Sequence, residues 1–212
     1  MSFATAVAFN SEGIRILSSG NYPGALRALE KALVVSQYVS CQATNSSNSD
    51  VRSWRLEAVP FVSTISKNTP CLSFDHCFTL VLDLSQRGIP TKDEVEFLIA
   101  TILYNIALAC QHEMFRQNNQ LSKYLETTGH IYGMAVNVLL KLDVSTDTLS
   151  LLLAISNNMA FLALECLDYD SFDCYQSWIG SVLMSEKRFH PVFFSGNFAA
   201  TGMVRVRPAA AA

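Results

Sequence analysis

Residues Phe9 to Leu33 read F-N-S-E-G-I-R-I-L-S-S-G-N-Y-P-G-A-L-R-A-L-E-K-A-L. The spacing predicts two short helices that pack on each other across a break at Gly20-Asn21. Gly13 in the first helix, and Ala25 and Ala32 in the second, are small where two backbones must approach closely. Phe9, Ile16, Tyr22 and Leu29 supply the volume around them. Asn21 is a natural N-cap for the second helix, and Pro23 stands in its first turn, where a missing N–H costs nothing. A helical hairpin of this size cannot bury its apolar face alone, so it predicts neighbours of the same kind.

Two further hairpins follow. Thr91-Lys92-Asp93-Glu94 is a capping box that opens the strongest helix in the chain. Val95, Leu98, Ile99, Ile102, Leu103, Ile106 and Leu108 make that helix apolar nearly all round, which predicts a central position. It runs to about Phe115, and a partner helix runs from Leu121 to about Lys141. The third pair spans Leu149 to Leu167 and Tyr169 to about Lys187, with Asp168 as the N-cap between them. Asn10 lies three residues before Gly13 and twelve before Tyr22; Asn157 lies three before Ala160 and twelve before Tyr169. Tyr104-Asn105 in the middle pair matches Phe9-Asn10.

The first hairpin resembles a tetratricopeptide repeat, on Phe9, Gly13, Gly20, Tyr22, Ala25, Leu29 and Ala32. The second and third hairpins match it in part, through Tyr104-Asn105, Tyr132 and Ala135, and through Asn157, Ala160 and Tyr169. The resemblance implies an all-α fold: three hairpins at about 2–39, 91–141 and 149–187 in one domain over 1–198, with an insertion at 40–90 and a tail at 199–212. In such repeats the first helix of each hairpin lines a concave groove. By resemblance, Asn10, Ile14, Asn105, His112, Asn157, Phe161 and Glu165 then face a partner, with Glu113 nearby. An asparagine side chain offers both a donor and an acceptor, which suits it to holding an extended peptide backbone. The family's carboxylate clamp needs basic residues in paired slots of these helices. The matching slots here hold Asn10 and Ile14, Asn105 and Ala109, Asn157 and Phe161, so a neutral ligand fits better than a charged tail.

The insertion has a different character. Cys41 to Asp50 is polar and reads as a surface loop, and Trp54 to Ser66 is mixed. Phe78 to Leu82 is rich in β-branched and aromatic residues and predicts a strand. Phe189, Phe193, Phe194 and Phe198 mark a final extended segment expected to cover the end of the helical stack, pairing with residues 78–84.

Composition narrows the function. Half of the 212 residues are apolar and 16% are charged, which excludes disorder for most of the chain. A net charge of −3, with Lys and Arg scattered singly, offers no field for nucleic acid or an anionic membrane. The N-terminus has no signal-peptide pattern, and the longest apolar stretch, Phe97 to Cys110, is too short to cross a bilayer, so a cytoplasmic protein is expected. The six cysteines contain no C-x-x-C pair and read as reduced, buried thiols. In Asp75-His76-Cys77 the imidazole and thiol are adjacent, and adjacent strand residues point to opposite faces. Asp168-x-Asp170-x-x-Asp173 lacks the glycine and terminal glutamate of a calcium loop and reads as helix capping. No nucleotide, zinc-protease or hydrolase motif is present, and no catalytic residue, metal or cofactor is expected. The expectation is a non-enzymatic scaffold that binds a peptide or protein in a helical groove. The alternative is an accessory subunit buried in a larger assembly.

Overall fold

The computed structural model describes residues 1–43, 54–60, Phe74, 76–83, 89–117 and 121–185. Among these residues the chain forms six helices and two strands. In order they are α1 (Phe3–Ser18), α2 (Tyr22–Ser40), β1 (Trp54–Pro60), β2 (His76–Leu82), α3 (Lys92–Gln117), α4 (Leu121–Leu139), α5 (Thr146–Glu165) and α6 (Tyr169–Ser185). The class is mostly helical, with a small sheet where the sequence carries its insertion. Contacts divide the chain into two compact units, Met1–Ile65 with Asp75–Ile155, and Ser66–Phe74 with Ser156–Ala212. The expected loop over 44–50, the aromatic segment Phe189 to Phe198 and the tail 199–212 lie outside the described residues.

Side-chain caps determine where the helices start. Asn21 Oδ1 accepts the Gly24 N–H at 3.0 Å and opens α2. At α3 the capping box is closed in both directions: Thr91 Oγ1 accepts the Glu94 N–H at 3.2 Å, and Glu94 Oε2 accepts the Thr91 N–H at 2.8 Å. Asp168 Oδ1 accepts the Ser171 N–H at 3.1 Å ahead of α6; the Ser171 hydroxyl first, and then this N–H, hold its carboxyl below the usual carboxylate range. α5 begins at Thr146, three residues before the expected Leu149, because Ser145 Oγ caps the Thr148 N–H at 3.2 Å.

α1 and α2 pack on each other at the point where the sequence places its small residues. A Cβ added to Gly13 would lie 2.7 Å from Leu29 Cγ and 3.4 Å from the Leu29 backbone nitrogen. Ala25, Leu29 and Ala32 are fully buried on the facing side. Phe9 and Ile16 are only half-buried and line a shallow groove with Gly24 and Ala28 on the outer side of the pair, so the core volume comes from Ala6, Ile14 and Leu17 instead. α3 packs against α2, α4 and β2. Its buried residues, among them Val95, Leu98, Ile102, Tyr104, Ala107 and Leu108, surround the helix, as an element without a solvent face requires.

Among the described residues two helices are long and apolar enough to cross a membrane by length and composition. They are Lys92–Arg116 with mean hydropathy 1.3 and Thr146–Glu165 with 1.4. The expectation that the apolar stretch is too short is corrected by the helix around it, which extends well past Phe97 and Cys110. In α3, 83% of that apolar window is buried inside the protein, which is the condition of a core helix.

β1 and β2 pair antiparallel, with Trp54 opposite Leu82, Ala58 opposite Phe78 and Pro60 opposite His76. β2 contains the predicted strand and starts two residues earlier. β1 falls in the stretch that reads as mixed from sequence.

Among the described residues two helix ends use left-handed backbone. Gly20 closes α1 at φ 78°, donating its N–H to Leu17 O at 2.9 Å. Leu167 closes α5 at φ 60°, donating its N–H to Leu164 O at 3.0 Å, while the Asp168 N–H reaches Ala163 O at 2.9 Å. Gly20 and Leu167 stand ten residues after Asn10 and Asn157 respectively, so the same turn is built once with glycine and once with leucine. The leucine carries a steric cost of about 1 kcal/mol that glycine avoids. Leu167 is 70% exposed and contributes little packing. Leu167→Gly is therefore expected to stabilise the protein by up to ~1 kcal/mol, and Gly20→Leu to destabilise it by a similar amount, read as opposite shifts of the thermal midpoint.

Candidate functional site

A peptide group taken out of water must find a hydrogen-bond partner, or it costs about 1–3 kcal/mol. Phe78, the third residue of β2, is 1% exposed, and its backbone faces this demand directly. Two asparagines meet it. Asn105 of α3 accepts the Phe78 N–H on Oδ1 at 3.0 Å and donates from Nδ2 to the Phe78 carbonyl at 2.7 Å. Asn10 of α1 donates to the same carbonyl at 3.1 Å. The two amides are tied to each other, Asn105 Nδ2 donating to Asn10 Oδ1 at 2.9 Å. Both protons of Asn105 Nδ2 are thus used, and both lone pairs of the Phe78 carbonyl are taken. Only a side chain with a donor and an acceptor on one carbon can serve both backbone groups of one residue.

Neighbouring groups fix the rest of β2 between α1 and α3. The Tyr104 hydroxyl donates to the His76 carbonyl at 2.8 Å, and Ser11 Oγ lies 2.9 Å from Thr79 Oγ1. The Phe78 ring meets Tyr104 edge-on, centroids 5.3 Å apart, and Tyr104 meets Tyr132 at 5.9 Å. At the far end of the hairpin Trp54 stacks on Phe97 at 4.8 Å. Aromatic pairs of this geometry add about 0.5–1.5 kcal/mol each beyond their burial.

The second unit contains a related contact. Asn158 Oδ1 accepts the Phe74 N–H at 2.7 Å, and Asn158 Nδ2 reaches the Phe74 carbonyl at 3.5 Å, the outer limit of a hydrogen bond. The residue singled out by sequence was Asn157. It is buried too, but its neighbour holds the phenylalanine backbone. The pair N-N at 157–158 was visible; one residue along a helix turns the side chain by about 100°, and spacing from Tyr169 pointed to the first of the two.

The remaining groove candidates are placed as follows. Asn10, Ile14, Asn105, His112 and Asn157 are all between 0% and 4% exposed. Ile14 is a core residue of α1. His112 lies parallel to the Tyr22 ring at 6.4 Å, and Arg116 sits over the same ring at 5.9 Å while pairing with Glu113 at 2.8 Å. Phe161 is half-buried and Glu165 exposed. Asn10 and Asn105 converge on one peptide group, and that group belongs to the chain itself.

The cysteines depart from the expected buried set. Cys77 is buried in β2, whereas Cys41, Cys166 and Cys174 are exposed. The exposed ones sit at or beyond helix ends or on an outward face, positions that carry no packing demand. Burial pushes the Cys110 thiol up to about 11, and the carboxylates of Glu30 and Glu113 push in the same direction. A thiol held in this way is the reverse of an activated nucleophile. Among the described residues no group of three or more His, Cys, Asp and Glu side chains could hold a metal ion.

Two predictions follow from the geometry. Asn105→Ala leaves the Phe78 N–H without an acceptor and is expected to cost about 3 kcal/mol. Asn10→Ala leaves the carbonyl still bonded to Asn105 and orphans one Asn105 Nδ2 proton, and is expected to cost less, about 1–2 kcal/mol; urea midpoints of the two variants check the order. At pH 8 a thiol reagent is expected to label Cys41, Cys166 and Cys174 readily. Cys110 carries about a hundredfold less thiolate than an ordinary thiol and should lag far behind in peptide mapping by mass spectrometry.

Comparison with known proteins finds no family model that matches the chain, and no curated protein or solved structure that resembles it significantly.

Proposed function

We propose that this chain is a non-enzymatic interaction scaffold whose helical groove takes a protein or peptide partner as an extended strand, held by its backbone. The observation that carries the reading is the Asn10–Asn105 contact with both backbone groups of Phe78. It is a recognition device for extended chain: it reads the peptide group, with Tyr104 and Ser11 reaching the positions on either side. The resemblance of the first hairpin to tetratricopeptide repeats supports the same reading, because first helices line the groove in that family.

In the isolated chain the occupant is β2. A tethered strand acts at an effective concentration in the millimolar range, so a partner in trans must outcompete it or wait for the hairpin to loosen. A peptide carrying residues 76–82 is therefore expected to ignore the wild-type protein. It should bind the full chain carrying Phe78→Ala, once circular dichroism shows the helices retained. Adding Asn105→Ala should weaken that binding by about tenfold, the loss of roughly one hydrogen bond. A folded Phe78→Ala variant that ignores the peptide contradicts the reading.

A second reading, an accessory subunit within a larger assembly, is favoured by one feature of α2. Val34 and Tyr38 are 60% and 50% exposed and lie one turn apart on the same face.

A further inference from the structure

The contacts of Phe78 also determine which way the outer strand of the hairpin faces. In an antiparallel pair, opposed residues alternate between pairs that exchange backbone hydrogen bonds and pairs whose N–H and C=O groups point away from each other. Phe78 gives both its groups to the asparagines, so Phe78 and Ala58 form a pair of the second kind. By the same alternation Leu56, opposite Leu80, turns its N–H and C=O away from β2. The outer edge of β1 thus presents the backbone groups of Leu56 and Ala58. Among the described residues no group bonds to them.

A strand edge that no described residue bonds is a template for another strand, and its side chains state which strand fits. Arg55 and Glu57 flank Leu56 on the opposite face of β1, 3.8 Å apart as an ion pair within the strand, with side chains 77% and 50% exposed and so able to reach a facing strand as well. This sequence is self-complementary. When two copies of β1 run antiparallel about a two-fold axis at Leu56, Arg55 lies directly opposite the partner's Glu57, and Glu57 opposite the partner's Arg55. Leu56 exchanges its two backbone bonds with the partner's Leu56, and Ala58 exchanges with the partner's Trp54. Moving the axis to Glu57 brings the two Glu57 carboxylates face to face, which disfavours that register. Pro60, lacking an N–H, ends the ladder on each side.

We propose that β1 is a homodimerisation edge. Two copies of this chain pair β1 to β1, antiparallel and centred on Leu56, in the isologous contact that a two-fold axis requires. The pairing uses the outer edge of the hairpin and leaves the Asn10–Asn105 contact in place, so it stands apart from the groove reading above.

Sedimentation velocity of the full-length chain over a range of concentrations tests it. The wild type is expected to show a reversible monomer–dimer equilibrium. Arg55→Glu and Glu57→Arg, each on an exposed side chain, place like charges opposite each other twice in the dimer. Each is expected to raise the dissociation constant by about tenfold. The double variant Arg55→Glu/Glu57→Arg restores opposite charges and the wild-type constant, and the two single variants mixed together form a heterodimer. Ala58→Pro removes an outward N–H without touching the β1–β2 ladder and weakens every dimer. A wild type that stays monomeric at all concentrations overturns the proposal, as does a dimer indifferent to the single reversals.

Discussion

The peptide group of Phe78 is buried, with helices on either side and Cys77, Thr79 and Leu80 of β2 buried along with it. An isolated β-hairpin is marginal in water, and among the described residues this sheet has two strands. It is held because the groups that a third strand would satisfy are satisfied by side chains instead. Asn10 and Asn105 play the part of a neighbouring strand for one residue, and Tyr104 plays it for His76. Removing that substitution leaves a buried donor and acceptor unpaired, at a cost comparable to a large share of a domain's net stability.

This arrangement accounts for several features that would otherwise look unrelated. α1 carries a buried, hydrogen-bonded asparagine in the middle of an otherwise apolar face because β2 lies there. α3 is apolar almost all round because it meets α2, α4 and β2, and Asn105 and Gln111 interrupt that surface where they bond the Phe78 backbone and the Tyr132 hydroxyl. The close approach of α1 and α2 at Gly13 and Leu29 fixes the placement of Asn10 within α1. The hairpin is oriented by its inner edge, which in turn leaves the outer edge of β1 facing away from the helices.

Much of the local structure was legible in the residues. Asn21, Thr91 with Glu94, and Asp168 mark helix starts through bonds that the structure contains, and Gly13 marks a close contact that the structure makes. The affinity of Asn10 and Asn105 for extended backbone was readable from amide chemistry. Which backbone they hold was not, because the contacts join residues 68 and 27 positions apart, and local spacing carries no record of such pairing. β1 was missed for a related reason. Trp54, Leu56 and Ala58 alternate with Arg55, Glu57 and Val59, a half-buried strand pattern, but Val59 and Pro60 blur the alternation and the partner strand lies 16 residues beyond. Leu167 in a left-handed turn gave no signal at all, since leucine is not the residue that position favours.

The central claim is that the Phe78 peptide group is a structural keystone held by Asn105, and amide hydrogen exchange at that single N–H tests it most directly. A backbone N–H donating to a loose side chain exchanges through local fluctuation, whereas one locked in the core exchanges only with large-scale unfolding. The account predicts that the Phe78 amide is protected as strongly as the core amides of α3, with the same dependence on denaturant. Exchange at the rate of exposed loop amides, while α3 remains protected, would contradict it.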